Sequence, residues 1–235
     1  MLPVDREHRM KLNHETSNVA AFSRNLEREL ENLGHSAYIA PTDHQDVRLG
    51  ADVLASDGRN FSLIEFKDEK RDAVTEARKP RRKKLCRLLD GWSDIHASCH
   101  LIGWRSTQGA NIEFPVRSYG TYVCTPEIIQ LPQADITFSS SISIHCETVQ
   151  AFAQAMVSQK VGVDFQSFRD YVRWLLSLDD DTDDKGESDD ADDVELLMCC
   201  VVGGKLYAKE FANLAELKLW IDNAPGPSPR RTFVM

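Results

Sequence analysis

The sequence has no run approaching the ~20 consecutive apolar residues that span a bilayer. Its first seven residues lack the basic-then-apolar order of a secretory signal. Cysteine is scarce and dispersed: Cys86, Cys99, Cys124, Cys146, Cys199 and Cys200 form no C-x-x-C pair. Without a secretory context these six are expected as buried thiols in a reducing compartment, which places the protein in the cytoplasm. G-x-S-x-G, a glycine-rich phosphate loop and H-E-x-x-H are all missing, which removes three common catalytic signatures. His96, Cys99 and His100 do form H-x-x-C-H, but no second pair sits at zinc-finger spacing. What remains is an ordinary globular composition, 42% hydrophobic and 28% charged. A chain of 235 residues then implies one domain, or one with a small appendage.

Charge of one sign is concentrated rather than spread. Residues 179–195 hold eleven acids and one lysine, so the 28 basic and 37 acidic residues of the chain become 27 and 26 without them. The net charge of −9 therefore belongs to this segment, and the rest is near neutral. A like-charge run of this density repels itself and reads as a disordered linker. It divides the chain into an α/β domain over 18–178 and a C-terminal hairpin-helix element over 196–224.

Helical periodicity begins near Ser17, with Val19, Phe22, Leu26, Leu30 and Leu33 on one face and Gly34 as the stop. Residues 1–17 read as a loose lead-in. A short strand over 37–40 follows, then two alternating segments, 51–56 and 61–67, around Asp57-Gly58-Arg59-Asn60, a hairpin signal. Residues 68–90 read as helical and charged, broken at Pro80. Strands are expected around 100–104, 119–124 and 136–145, and helices over 148–158 and 165–178. A second hairpin turns at Gly203-Gly204, and a last helix opens at Asn213 with Glu216 as its capping-box partner. The fold class is α/β, a mixed central sheet flanked by helices.

The hairpin carries the chemistry. Residues two apart on a strand share a face, so Glu65 and Lys67 point together while Ile64 and Phe66 point the other way. A two-residue turn puts Asp52 diagonal to Glu65, and a four-residue loop puts it directly opposite. Either register leaves Asp52, Glu65 and Lys67 on one face, whereas a three-residue bulged loop breaks the arrangement. Two carboxylates are hard ligands for Mg²⁺ or Mn²⁺, and an ammonium beside them can orient water or offset developing charge on phosphorus. Like charges so close are expected to repel, so that removing one carboxylate costs no stability without metal.

Gly50-Ala51-Asp52-Val53-Leu54, a hairpin loop and Ile64-Glu65-Phe66-Lys67, between an amphipathic helix and a basic helix, resemble the PD-(D/E)XK, or restriction-endonuclease-like, phosphodiesterases. The likeness covers residues 18–125, without the proline that often precedes the first aspartate. It implies a restriction-endonuclease-like core in which Asp52, Glu65 and the Phe66 carbonyl bind the metal and Lys67 serves the nucleophile. Many relatives add a glutamate from the first helix, for which Glu27 is the candidate and Glu29 the alternative. The activity implied is a Mg²⁺-dependent nuclease, a DNA endonuclease in preference to one for RNA, working with protein partners or as a homo-oligomer and away from membranes. Antiviral defence is a typical setting for such proteins. The alternative is a non-catalytic nucleic-acid-binding or assembly subunit on the same fold. Directly after the motif, Arg78, Lys79, Arg81, Arg82, Lys83, Lys84 and Arg87 are expected to form a phosphate-binding track with a strong salt dependence.

Overall fold

The structure is a computed structural model that describes residues 4–42, 46–108, 111–178, 196–202 and 205–223. The acidic segment 179–195 and the tail beyond Asn223 lie outside the described residues. One long helix, α1 (Val4–Asn32), leads into a mixed sheet of eight strands: β1 (Tyr38–Pro41), β2 (Val53–Ser56), β3 (Phe61–Lys67), β4 (His100–Trp104), β7 (Val116–Ser118), β8 (His145–Cys146), β9 (Leu196–Val202) and β10 (Lys205–Phe211). Their spatial order is β10-β9-β1-β2-β3-β4-β7-β8. β5 (Ser106–Gln108) and β6 (Asn111–Glu113) form a separate hairpin. Among the described residues only β3 and β4 run parallel; the crossover between them carries a 3₁₀ helix (Lys70–Arg78), α3 (Pro80–Arg87) and α4 (Ser93–Cys99). The short helix α2 (Asp46–Leu49) precedes β2, while α5 (Tyr119–Val123) and α6 (Pro126–Ile129) follow β7. Helices α7 (Val149–Val157), α8 (Phe165–Ser177) and α9 (Leu214–Asn223) complete the flanking layers. No helix among the described residues is long and apolar enough to cross a membrane.

The sheet separates two cores. On one face, Phe22, Leu26 and Leu30 of α1 pack with Ile64, Phe66, Phe152 and Met156. On the other, Leu63, Ile102 and Trp104 pack with Leu85, Tyr119, Phe168 and Tyr171. Strand alternation thus assigns Glu65 and Lys67 to the second face, as the sequence implies. β2 and β3 pair Ser56 with Phe61 and Val53 with Ile64, which is the four-residue-loop register.

Several expectations are corrected. Helix α1 starts at Val4, not near Ser17, and it ends at Asn32 with Leu33 left 40% exposed rather than in the core. Gly34, at φ +79°, is the stop that was anticipated. Residues 119–123 are helical rather than extended, and of the segment 136–145 only His145 is extended, as the first residue of the two-residue β8. The helix α4 and the hairpin β5–β6 were not foreseen. Cys86 and Cys124 are not thiols: they form a disulfide with a Cα–Cα distance of 5.4 Å, whereas Cys99 and Cys146 are free and buried. The C-terminal hairpin extends the sheet by pairing β9 with β1, and Trp220 of α9 packs edge-on against Tyr38 at 5.8 Å. Asn213 caps α9 by accepting from the Glu216 amide at 2.9 Å, and Glu216 reaches back to the Ala212 amide at 3.1 Å, one residue before the cap and not to the cap's own amide as in a capping box.

Candidate active site

The strands β2 and β3 fork at Asp52. In a regular strand the N–H and C=O of one residue point the same way. At Asp52 the amide donates to Ile64 O at 2.9 Å, while the carbonyl accepts from Thr42 N at 3.0 Å, on the opposite strand. The chain is kinked there, as at a bulge. The Asp52 carboxylate then takes the Phe66 amide at 2.6 Å, in place of a ladder carbonyl. Asp52 is half-buried at the mouth of this fork.

Two contacts hold the approach to Asp52 from below. Gly50 has φ +74°, and a Cβ there would lie 2.4 Å from the Arg82 guanidinium. Only glycine satisfies both the backbone and that close approach. His100 Nε2 donates to Gly50 O at 2.9 Å, so its Nδ1 is an acceptor and takes the Tyr171 hydroxyl proton at 2.7 Å. Tyr171 oxygen in turn accepts from His96 Nδ1 at 2.5 Å. Burial keeps both imidazoles neutral, and with that the chain of contacts fixes their tautomers. His96, with His100 and Arg82 as neighbours, is driven well below its ordinary value by burial, and burial with Arg82 brings His100 down to about 4. His96 and His100 thus serve the scaffold of the site, and Cys99 is a buried thiol pushed upward by desolvation.

Glu65 and Lys67 project from β3 at 3% and 5% exposure, with Lys67 Nζ 2.5 Å from Glu65 Oε1. A third carboxylate, Glu76 of the 3₁₀ helix, completes the group and is fully buried. Its Oε1 lies 2.8 Å from Lys67 Nζ and 2.9 Å from Lys79 Nζ; its Oε2 takes Arg82 Nε at 3.1 Å and the Tyr119 hydroxyl at 2.7 Å. Lys79 also reaches Glu65 Oε1 at 2.9 Å, and its side chain is 44% exposed. Two ammonium groups thus bridge two carboxylates. Burial alone would strip the proton from Lys67, but Glu65 and Glu76 hold it, and the net shift is far upward. Glu76 moves the other way: burial opposes its charge, yet Lys67, Lys79 and Arg82 keep it ionised far below the ordinary carboxylate range.

The hydrogen bonds and ion pairs of Glu65 with Lys67 and Lys79 all fall on Oε1. Continued by one residue, the register sets Asp52 opposite Glu65, and two carboxylates so placed are hard oxygen donors of the kind a divalent cation takes. Glu27 is not brought to this place. α1 meets the end of β3 through Phe22, whose ring lies 4.8 Å from that of Phe66, and through Asn18, whose Nδ2 donates to Asp68 at 3.2 Å. The helix packs on the sheet face of Ile64 and Phe66, opposite the face that carries Glu65 and Lys67, so Glu27 stays on the far side of the sheet from them. Its carboxyl is raised by burial and by Glu31, against Arg24, all three of them influences from its own helix surroundings. Glu29 faces Arg28 instead.

The basic segment is not a uniform phosphate track. Arg82 is 2% exposed and belongs to Glu76. Arg81 is half-buried, donating to the Arg48 and Leu175 carbonyls, and burial with Arg82 and Arg48 beside it brings it down to about 10. Lys79 bridges Glu65 and Glu76, and Arg87 pairs with Asp135 at 3.4 Å. Arg78 is exposed, and Lys83 and Lys84 are half-exposed. Glu76 and Tyr119 were missed by sequence reasoning because Glu76 is embedded in a run of charges and Tyr119 in an apparent strand. The signal for Glu76 was its place between Ala73 and Ala77, both buried on the same helical face. No family model, curated protein or solved structure matches the chain.

Proposed function

We propose that the chain is a metal-dependent phosphodiesterase of the PD-(D/E)XK kind, an endonuclease acting on DNA in preference to RNA and working with protein partners in defence against foreign DNA. The observation that carries this reading is the placement of Glu65 and Lys67 on one face of β3, 2.5 Å apart, beside a strand fork headed by Asp52. Asp52, Glu65 and the Phe66 carbonyl would hold Mg²⁺ or Mn²⁺. When bound, the ion supplies Lewis-acid stabilisation of the phosphorane and a more acidic water.

The chain's own groups set the rest. Lys67 stays protonated, so it orients the water and stabilises developing charge rather than accepting a proton. Lys79 approaches the same Glu65 oxygen from the solvent side and is free to swing away as phosphate enters, being nearly half exposed. Cleavage of plasmid and of single-stranded DNA with Mg²⁺ tests the reading: activity in the wild type, lost in Asp52→Ala and Glu65→Ala, is expected. Cleavage that persists in both variants at the wild-type rate overturns the site.

One observation favours a second reading, a nucleic-acid-binding subunit without catalysis: both ammoniums already neutralise Glu65. That reading expects binding indifferent to Mg²⁺ and no cleavage with any substrate.

A further inference from the structure

Beside the carboxylates, on the same sheet face, lies an aromatic feature that the chemistry above does not use. β3 and β4 run parallel with Lys67 directly paired to Trp104, and neighbouring strands are only ~4.8 Å apart. Trp104 belongs to the same core face as Leu63 and Ile102, so its indole stands next to the Lys67 side chain. Tyr122 of α5 stacks on that indole, with ring centroids 5.2 Å apart and planes at 30°. Arg117 of β7 lies over the indole at 5.6 Å. Lys70 sits 5.8 Å from the Trp104 ring and 5.9 Å from the Tyr122 ring. Trp104 is buried at 4%, whereas Tyr122 is only half-buried and Lys70 is exposed. The Tyr122 hydroxyl has no hydrogen-bond partner among the described residues, and Lys70 forms no ion pair within 4 Å among them, although the Glu147 carboxylate feels its charge. Arg117 is partly neutralised by Glu147 at 3.0 Å.

We infer that Tyr122, backed by Trp104, is a stacking platform for one unpaired nucleobase, with Lys70 taking the adjoining phosphate, so that the substrate presents a single-stranded segment at this end of the site. The inference rests on the proposed nucleic-acid chemistry of the neighbouring carboxylates and names the substrate form that they meet. The physics favours it for three reasons. A tyrosine fixed by a buried indole offers a rigid π-face without an ordering cost. Stacking on such a face tolerates any base. A cation at the rim supplies the phosphate charge that a neutral aromatic cannot. A duplex has its bases already stacked internally and offers no π-face to this ring.

The test is binding without turnover, in EDTA, by anisotropy of labelled oligothymidylate, oligouridylate and a duplex of equal length. Tyr122→Ala is expected to weaken single-strand binding by ~5- to 150-fold, the equivalent of losing 1–3 kcal/mol of stacking for one base. Tyr122→Phe is expected to retain affinity, because the face and not the hydroxyl is used. Lys70→Ala is expected to reduce the slope of log affinity against log salt by ~0.7, one phosphate contact on a single strand. Duplex affinity is expected to be indifferent to Tyr122. Preference between the two single strands decides whether the base belongs to DNA or RNA, and either result with Tyr122 dependence supports the platform. Unchanged single-strand affinity in Tyr122→Ala, with near-UV circular dichroism confirming the fold, overturns it, as does absence of single-strand binding by the wild type. The nuclease reading fails separately: Tyr122-dependent binding with no Mg²⁺ cleavage keeps the platform and removes the catalysis, and cleavage with Tyr122-independent binding does the reverse.

Discussion

At the scale of single residues, the proton on Lys67 and the charge on Glu76 depend on each other, which changes what a substitution does. The sequence suggested carboxylates in mutual repulsion. The structure instead brackets Glu65 and Glu76 with Lys67, Lys79 and Arg82. Glu76→Gln keeps the volume but leaves buried cations short of a counter-charge, and the expected cost is ~3–5 kcal/mol, read by urea unfolding. A neutral outcome would show that the cluster carries no net charge coupling. The two histidines act at a different pH. Their folded-state values lie below the ordinary 6.5, so the stability they contribute is complete above 6.5 and lost as pH falls toward 4. For His100 alone the shift to about 4 corresponds to roughly 3 kcal/mol. Stability of the wild type is thus expected to decline between pH 6.5 and 4.5, before most carboxylates titrate. The decline should have a slope approaching ~1.4 kcal/mol per pH unit for each histidine, and it should be reduced in His96→Phe. A flat profile over that range would contradict the neutral Tyr171-bridged pair.

At the scale of elements, α3 shows where pattern reading stops. The sequence left Pro80 as a break or a fresh helix start, and α3 begins there. A list of charges does not say which of them turn inward. Arg82 does, because Leu85 and Cys86 fix the buried face of α3 and Arg82 falls three and four residues before them on that face. Lys83 and Lys84 fall beside it. Lys83→Glu is therefore expected to leave stability within about 0.5 kcal/mol and to weaken nucleic-acid affinity with a shallower salt dependence. Arg82→Ala, by contrast, should cost several kcal/mol through the orphaned Glu76. Equal effects of the two changes in an unfolding experiment would mean that Arg82 is no more internal than its neighbours. The β2–β3 hairpin was legible down to two registers, of which the structure has the four-residue loop, and alternation put Glu65 and Lys67 on one face in either. The kink at Asp52 was not legible, because it arises from a tertiary hydrogen bond between its side chain and the Phe66 amide. Glu27 was misplaced for the same kind of reason: periodicity gives the angle of a residue around a helix, while the face of the sheet on which the helix docks is set by tertiary packing.

At the scale of the whole molecule, the disulfide ties together the two elements that enclose Glu76. Cys86 ends the turn of α3 that follows Arg82, and Cys124 ends α5, whose first residue is Tyr119. Arg82 and Tyr119 are the two partners of Glu76 Oε2, so the cross-link holds both sides of the buried carboxylate at once. Composition alone pointed to reduced thiols, because spacing in sequence says nothing of two cysteines 38 residues apart that meet across a helix pair. Closing a loop of that length removes unfolded-state entropy worth ~4 kcal/mol in the chain-entropy account, with ~2–4 kcal/mol the usual range. Both sulfurs are in buried residues, so a dithiol reductant should act slowly on the native state and faster as the protein unfolds. Unfolding in urea with and without reductant, after full equilibration, is expected to show a loss of that size, and Cys86→Ala with Cys124→Ala should reproduce it. The same double variant should loosen the Glu76 cluster, so that Glu76→Gln costs less in its background than in the wild type. Additive losses in that cycle would separate the staple from the charge cluster and leave the disulfide with a role in chain entropy alone.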